Sequence, residues 1–173
     1  MLQETNVHLS RLSLADKEQL RAQANNKQVW NTLRDYMPFP YTEKDAIDFI
    51  QHTQKENPAL SYGIRYNNTL CGVIGLVPEP DAHIKTTELG YWVGEAFWKK
   101  GIATTAVQCI LKYAFEALEY KKIVAGVFEG NIASMKVLEK NNFTQEKILK
   151  KAVIKNGVVL DEYRFGLAFS EYS

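Results

Sequence analysis

The residues best placed to do chemistry form a Lys-Lys-Gly turn, Lys99-Lys100-Gly101, between a strand pattern and a helix pattern. N–H groups in the first turn of a helix have no intrahelical partner, and the aligned peptide dipoles place about half a positive charge there. Gly101 has no Cβ to obstruct a ligand, and Lys99 and Lys100 add two cations. The turn therefore predicts a phosphate site, although an exposed connection would use the same residues.

A carboxylate lies near the start of the strand pattern that precedes this turn. Strand alternation places Glu88 on one face with Gly90 and Trp92. A carboxylate beside a large aromatic ring fits a general base that acts directly or through water. The alternative is an exposed residue at the beginning of a strand.

Asn131 and Ser134 open another helix pattern downstream. Asparagine is a favoured helix N-cap and Ser134 would lie in the first turn, so a structural role alone explains both residues.

Hydrophobic spacing and turn residues define the elements that must position these groups. Strand patterns cover residues 5–12, 61–66, 69–77, 86–93, 121–128, 143–153 and 158–168, and helix patterns begin at Ser13, Thr42, Ile102 and Asn131. The pairs Asn67-Asn68 and Asn156-Gly157 predict tight hairpins. This order is not the alternation of a doubly wound fold, and it predicts an α+β protein with a mixed, mostly antiparallel sheet flanked by helices.

The connection from Trp30 to Tyr41 is long and rich in aromatic residues. Long loops in compact domains are often functional, so its aromatic side chains are candidates to line a substrate pocket. The alternative is that they pack over the core. The candidates are Trp30, Tyr36, Phe39 and Tyr41.

Composition excludes several classes of function. A net charge of +1 gives no general case for binding nucleic acid or an anionic membrane. The three histidines are scattered without ligand spacing, so no metal site is expected, and Cys71 and Cys109 have the apolar neighbours of free core thiols. With no leader pattern and no membrane-spanning apolar run, a cytoplasmic protein is expected.

Two motifs resemble those of a known family. The segment Trp98-Lys99-Lys100-Gly101-Ile102-Ala103-Thr104 is similar to the acetyl-CoA pyrophosphate loop of the GNAT superfamily of N-acetyltransferases, with Trp98 in place of its usual Gln or Arg. Asn131-Ile132-Ala133-Ser134 resembles the Asn-x-x-Ser helix of the RimJ/RimL-like branch, which acetylates ribosomal-protein N-termini, and Asn142-Phe143 replaces its closing Gly-Phe. Residues 37–43 and 156–167 agree with the same branch.

The resemblance implies the acyl-CoA N-acyltransferase fold, one GNAT domain over residues 1–173, and acetyl-CoA as cosubstrate without a metal. In this family the strand before the loop splays from its neighbour, and its free backbone groups pair with pantetheine and the thioester oxygen. The cofactor-binding residues would be Tyr91, Trp92, Val93, Trp98, Lys99, Lys100, Gly101, Ile102, Ala103, Thr104, Asn131 and Ser134.

The resemblance also implies roles in catalysis. Leu138 occupies the position of the tyrosine that commonly protonates the leaving thiolate, so Ser134 would be the acid and Glu88 the candidate base. No cysteine lies near either motif, which favours direct transfer in a ternary complex. The acceptor would be a protein N-terminus or a small-molecule amine, and a noncatalytic CoA sensor is the rival. Dimers are common in this branch, which leaves a homodimer open.

Overall fold

A seven-stranded sheet forms the centre of the computed structural model, which describes residues 6–172. The spatial order of the strands is β1-β2-β3-β4-β5-β7-β6, and β4 with β5 is the parallel pair in an otherwise antiparallel sheet. The mixed, mostly antiparallel sheet predicted from the sequence is therefore confirmed. The strands are β1 Val7–Ser10, β2 Ser61–Tyr66, β3 Thr69–Pro78, β4 Thr86–Val93, β5 Lys122–Phe128, β6 Thr144–Lys155 and β7 Val158–Ala168.

Within residues 6–172, five α-helices flank the sheet: α1 Lys17–Ala24, α2 Lys27–Trp30, α3 Glu43–Gln54, α4 Ile102–Lys112 and α5 Ile132–Lys140. The start of α3 was predicted at Thr42, and there Thr42 Oγ1 accepts from the Asp45 N–H at 3.2 Å while the Asp45 carboxylate accepts from the Thr42 N–H at 2.8 Å. Helix α2 was not predicted. Its four residues are too few for a hydrophobic stripe, and the Asn26 side chain caps it.

The helices cover opposite faces of the sheet. Helices α1 and α3 bury Leu20, Ala46 and Ile50 against Val73 of β3. Helix α4 buries its apolar stripe against the other face, where Leu89 of β4 belongs to the same core. Among the residues described, no helix is both long and apolar enough to cross a membrane.

The pairing of β4 with β5 is short. Thr86, Thr87 and Glu88 pair with β5, and in the described chain the parallel ladder ends there. Beyond this point β4 stays paired with β3 as far as Val93, and β5 stays paired with β7 along its whole length. The two strands therefore separate and leave a gap between their carboxyl-terminal halves.

Asparagines adopt left-handed backbone conformations at the predicted turns. Asn67 and Asn68 have φ of 50° and 65°, and Asn156 and Gly157 have φ of 52° and 72°, so both hairpins form where their sequences predict. Asn142, which stands in place of the glycine that closes this helix in the resembling branch, has φ of 65°.

Asn142 offers a test of this helix ending, because its exposed side chain limits the effect to the backbone. We expect Asn142→Ala to lower the free energy of unfolding by about 1 kcal/mol, since alanine adopts a positive φ less readily than asparagine does. Asn142→Gly should match or exceed the parent stability. Urea denaturation measures both, and equal stabilities for the two variants would contradict this account.

Candidate active site

Two residues of the Lys99–Gly101 turn have left-handed backbone conformations. Gly101 has φ of 73° and caps α4, and Lys99 has φ of 62° although it carries a side chain. A Cβ added at Gly101 would meet no protein atom within 4 Å. The turn thus presents open backbone to the cleft, as a close approach by a ligand requires.

The first turn of α4 supplies hydrogen-bond donors for a ligand. Its opening N–H groups are those of Ile102, Ala103 and Thr104. The hydrogen bonds within the helix begin at Thr105, whose N–H donates to Gly101 O at 3.2 Å. The Ile102 side chain is buried in the core, so that residue offers its backbone only. Four lysines line this end of the cleft: Lys99 and Lys100 on the turn, and Lys136 and Lys140 on α5.

Strand alternation decides which backbone groups of β4 face the gap. The Gly94 N–H donates to Cys71 O on β3 at 2.7 Å, so the N–H and C=O of Trp92 also point towards β3 and those of Tyr91 and Val93 point away from it. Gly72 agrees with this, because a Cβ there would clash with the Trp92 carbonyl oxygen. Of the three backbone positions predicted to bind pantetheine, Tyr91 and Val93 have the favourable direction.

Trp98 contacts the same strand. Its indole Nε1–H donates to Val93 O at 2.7 Å, so this carbonyl already has a partner within the protein. The Trp98 ring is 40% exposed and lines the cleft. Trp98 therefore braces the separated end of β4 beside the Lys-Lys-Gly turn.

The start of α5 brings Ser134 to the cleft. Asn131 caps this helix, with its Oδ1 accepting from the Ser134 N–H at 3.3 Å. Ser134 Oγ lies 2.7 Å from the hydroxyl oxygen of Tyr91. Leu138 is completely buried in the core.

The Tyr91 hydroxyl was not predicted as part of the site, since only the Tyr91 backbone was expected to bind the cofactor. Burial raises the pKa of this phenol to about 12, an effect that the hydrogen bond with Ser134 partly opposes. The sequence places Tyr91 on the opposite strand face from Glu88. It carries no signal that this face meets a serine 43 residues later.

Glu88 lies at the point where β4 and β5 separate, among three other charged groups. Its carboxylate lies 2.9 Å from Arg34 Nη2 and 3.7 Å from Arg164 Nη2. Both guanidinium groups also lie 3.5 Å from the buried Glu162 carboxylate. Glu88 therefore belongs to a ring of two carboxylates and two guanidinium groups, which the sequence did not predict.

The aromatic residues of the 30–41 connection do not share one role. Tyr36 and Tyr41 line the cleft, and Tyr41 is also buried in the core that α1 and α3 form with the sheet. Trp30 and Phe39 stack on each other, with ring centroids 5.6 Å apart. Lys155, from the hairpin of β6 and β7, places its Nζ 3.3 Å from the Trp30 ring centroid.

One continuous cleft of about 1730 Å³ joins these groups. It runs from the Lys-Lys-Gly turn along β4, past Ser134 and Glu88, to the 31–41 connection. A helix N-terminus with lysines at one end and hydroxyl, carboxylate and aromatic groups beyond it fits a long ligand whose phosphates bind at the first end. The residues present therefore fit a CoA thioester.

The family model described as an acetyltransferase (GNAT) domain matches residues 6–144. The chain belongs to the GNAT acetyltransferase family. It is an acetyl-CoA-dependent N-acetyltransferase.

Two curated GNAT relatives come from Bacillus subtilis (strain 168). The probable N-acetyltransferase YjcK is 30% identical over 166 residues, which cover 91% of each chain. The putative ribosomal N-acetyltransferase YdaF is 33% identical over 110 residues, which cover 64% of this chain and 60% of YdaF.

Solved structures share the GNAT fold. The ribosomal L7/L12 alpha-N-protein acetyltransferase RimL, determined in complex with coenzyme A, superposes with a TM-score of 0.86 at 21% identity over 97% of each chain. At this identity the likeness establishes the fold.

A substitution at Gly101 tests whether the turn binds the cofactor. Gly101→Gln should lower CoA affinity at least about 10-fold, because a side chain would occupy the open face of the turn. Gly157→Gln is the matched control, because Gly157 has φ of 72°, is equally open and lies in a distant hairpin.

Isothermal titration with CoA measures the two affinities. Both variants should lose about 1–2 kcal/mol of stability from the positive φ. Equal CoA affinity in the two variants would remove the turn from the binding site.

Proposed function

We propose that this enzyme transfers the acetyl group directly to the α-amine of a protein N-terminus, within a ternary complex. The observation that carries this proposal is the continuity of the cleft, in which the α4 N-terminus, the Tyr91–Ser134 pair and Glu88 line one cavity. The names of YdaF, a putative ribosomal N-acetyltransferase, and RimL, an alpha-N-protein acetyltransferase, support this class of acceptor.

The N–H groups of Lys100 to Thr104 would hold the pyrophosphate, with Lys99 and Lys100 supplying charge. The backbone N–H and C=O of Tyr91 and the N–H of Val93 would pair with pantetheine, because the Val93 carbonyl already accepts from Trp98. A thioester bound there supplies an activated acetyl group. A backbone N–H of β4 would stabilise its carbonyl oxygen as negative charge develops.

The cysteines support direct transfer over a covalent acetyl-enzyme. Cys71 is buried in β3, and burial raises the pKa of its thiol to about 11. Burial also raises the pKa of Cys109, which lies on α4 outside the cleft. A protonated, inaccessible thiol is a poor nucleophile.

Glu88 is the proposed base for the acceptor amine. Its carboxylate lines the cleft at the strand separation, on the sheet face opposite the buried Leu89. The ring of charges fixes its direction, because Arg34 and Arg164 contact different carboxylate oxygens. Ser134 is the proposed acid for the leaving thiolate, and Asn131 positions it by capping α5.

A small-molecule amine is the second candidate acceptor. The Lys155 ammonium lies 2.8 Å from the Asp35 carboxylate, and the Asn156 amide donates to Asn31 at 3.0 Å. These contacts tie the 31–41 connection to the hairpin of β6 and β7, which restricts the acceptor side and favours a compact amine.

An acceptor panel tests the proposal. Acetyl-CoA is offered with synthetic N-terminal peptides, polyamines and amino acids, while thiol release and mass spectrometry identify the acetylated product. We expect acetylation of peptide α-amines. Turnover with the small amines alone would overturn the protein-acceptor proposal, and titration without CoA binding up to millimolar concentrations would overturn the cofactor assignment.

A substitution at Glu88 tests the base. Glu88→Gln should slow single-turnover acetyl transfer about 100-fold and leave CoA affinity unchanged, because the amide keeps the shape and cannot accept the proton. The control is Glu95→Gln, whose parent carboxylate is exposed next to the loop and bonds the Asn26 amide. An unchanged rate of acetyl transfer in Glu88→Gln would mean that water, and not Glu88, takes the proton from the acceptor amine.

A further inference from the structure

The Tyr91 phenol has no role in the proposed mechanism, yet it makes two close contacts with Ser134. Its oxygen lies 2.7 Å from Ser134 Oγ and 3.3 Å from Ser134 O. Tyr91 comes from β4 and Ser134 from α5, so the contacts connect the two sides of the cleft. Both residues line the cleft.

The positions of the two oxygens allow either hydroxyl to donate in the short contact, and the acidity of the phenol favours Tyr91 as the donor. A phenol is a far stronger acid than an aliphatic alcohol, so the more favourable direction is from Tyr91 to Ser134 Oγ. Burial raises the pKa of Tyr91, so the phenol keeps its proton throughout the neutral range. Because Ser134 Oγ accepts this bond, its own hydrogen is free to point into the cleft.

We propose that Tyr91 is the positioning residue for Ser134, orienting the serine hydrogen towards the thioester sulfur and replenishing its proton. This inference rests on the proposed acid role of Ser134. It also accounts for the fully buried Leu138, because the phenol missing from α5 is supplied by β4.

The CoA thiolate receives its proton from Ser134, and Ser134 receives one from Tyr91. As the carbon–sulfur bond breaks, its electron pair goes to sulfur, and the Ser134 proton moves to that sulfur to give the CoA thiol. The Tyr91 proton moves to Ser134 Oγ across 2.7 Å, and the phenolate takes a proton from water in the cleft. The proton lost by the acceptor amine goes to Glu88 and then to solvent, where it neutralises the hydroxide left when water reprotonates Tyr91.

A double-mutant cycle tests this route. Tyr91→Phe keeps the ring and removes the hydroxyl, and we expect the single-turnover rate to fall about 10- to 100-fold with an unchanged CoA dissociation constant. The rate of Ser134→Ala should fall at least as far. The rate of the double variant should match that of Ser134→Ala, because Tyr91 acts through the serine. The assay uses acetyl-CoA with the best amine of the panel, and with water as acceptor.

Tyr113→Phe is the matched control. It removes a phenol that donates to the Ala59 carbonyl at 3.0 Å, outside the main cleft, and should leave the rate unchanged. An equal loss in Tyr113→Phe, or additive losses in the double variant, would overturn the positioning role.

A readout without turnover uses CoA alone. Donation from Ser134 stabilises the thiolate and lowers the thiol pKa of bound CoA, which is followed by the ultraviolet absorbance of the thiolate. We expect Tyr91→Phe and Ser134→Ala to raise that pKa by about one unit. An unchanged pKa in Tyr91→Phe would overturn the inference.

The outcomes separate this inference from the function on which it rests. If Ser134→Ala loses activity and Tyr91→Phe does not, the serine remains the acid and the positioning role fails. If Ser134→Ala keeps full activity, the acid assignment and this inference both fail while acetyl transfer stands. If the parent neither binds CoA nor releases thiol, the proposed function itself fails.

Discussion

The early end of the β4–β5 ladder is the constraint on which the rest of the structure depends. Three residue pairs join the two strands, after which each strand is held only by its outer neighbour, β3 or β7. Buried backbone N–H and C=O groups need hydrogen-bond partners. Where two strands separate inside a domain, a ligand can provide those partners. The helices that follow the two strands, α4 and α5, then begin on either side of the gap and turn their N-termini and capping residues towards it.

The separation also divides the chemistry between the two faces of β4. Leu89, Tyr91 and Val93 face α4 and α5, and this side carries the serine and the helix N-terminus. Glu88 and Trp92 face the opposite side, where Arg34 and Arg164 surround the carboxylate and α1 and α3 cover the strand. The proposed acid and base therefore lie on opposite faces of β4. This arrangement suits an acetyl transfer that takes place in the gap between β4 and β5, with the two groups on either side of the sheet.

Local interactions made much of this fold predictable. The bounds of β4, residues 86–93, follow from alternation and match the structure, and the asparagine turns follow from their tolerance of positive φ. The turn that is predicted to bind phosphate was recognisable because its glycine, lysines and helix start are adjacent in sequence. The Tyr91–Ser134 contact and the Glu88–Arg34 pair join residues 43 and 54 positions apart, and no local pattern specifies which distant side chain each would meet.

The Lys155 ammonium, nearly inaccessible and held between Asp35 and the Trp30 ring, has a consequence for biosynthesis. Its partners precede it by about 120 residues, so the ribosome makes the 31–41 connection long before the lysine that binds it. Loop closure over such a distance is slow compared with helix formation. The contacts of Lys155 can form only after the hairpin of β6 and β7 leaves the exit tunnel, so the 31–41 connection reaches its final position late in synthesis.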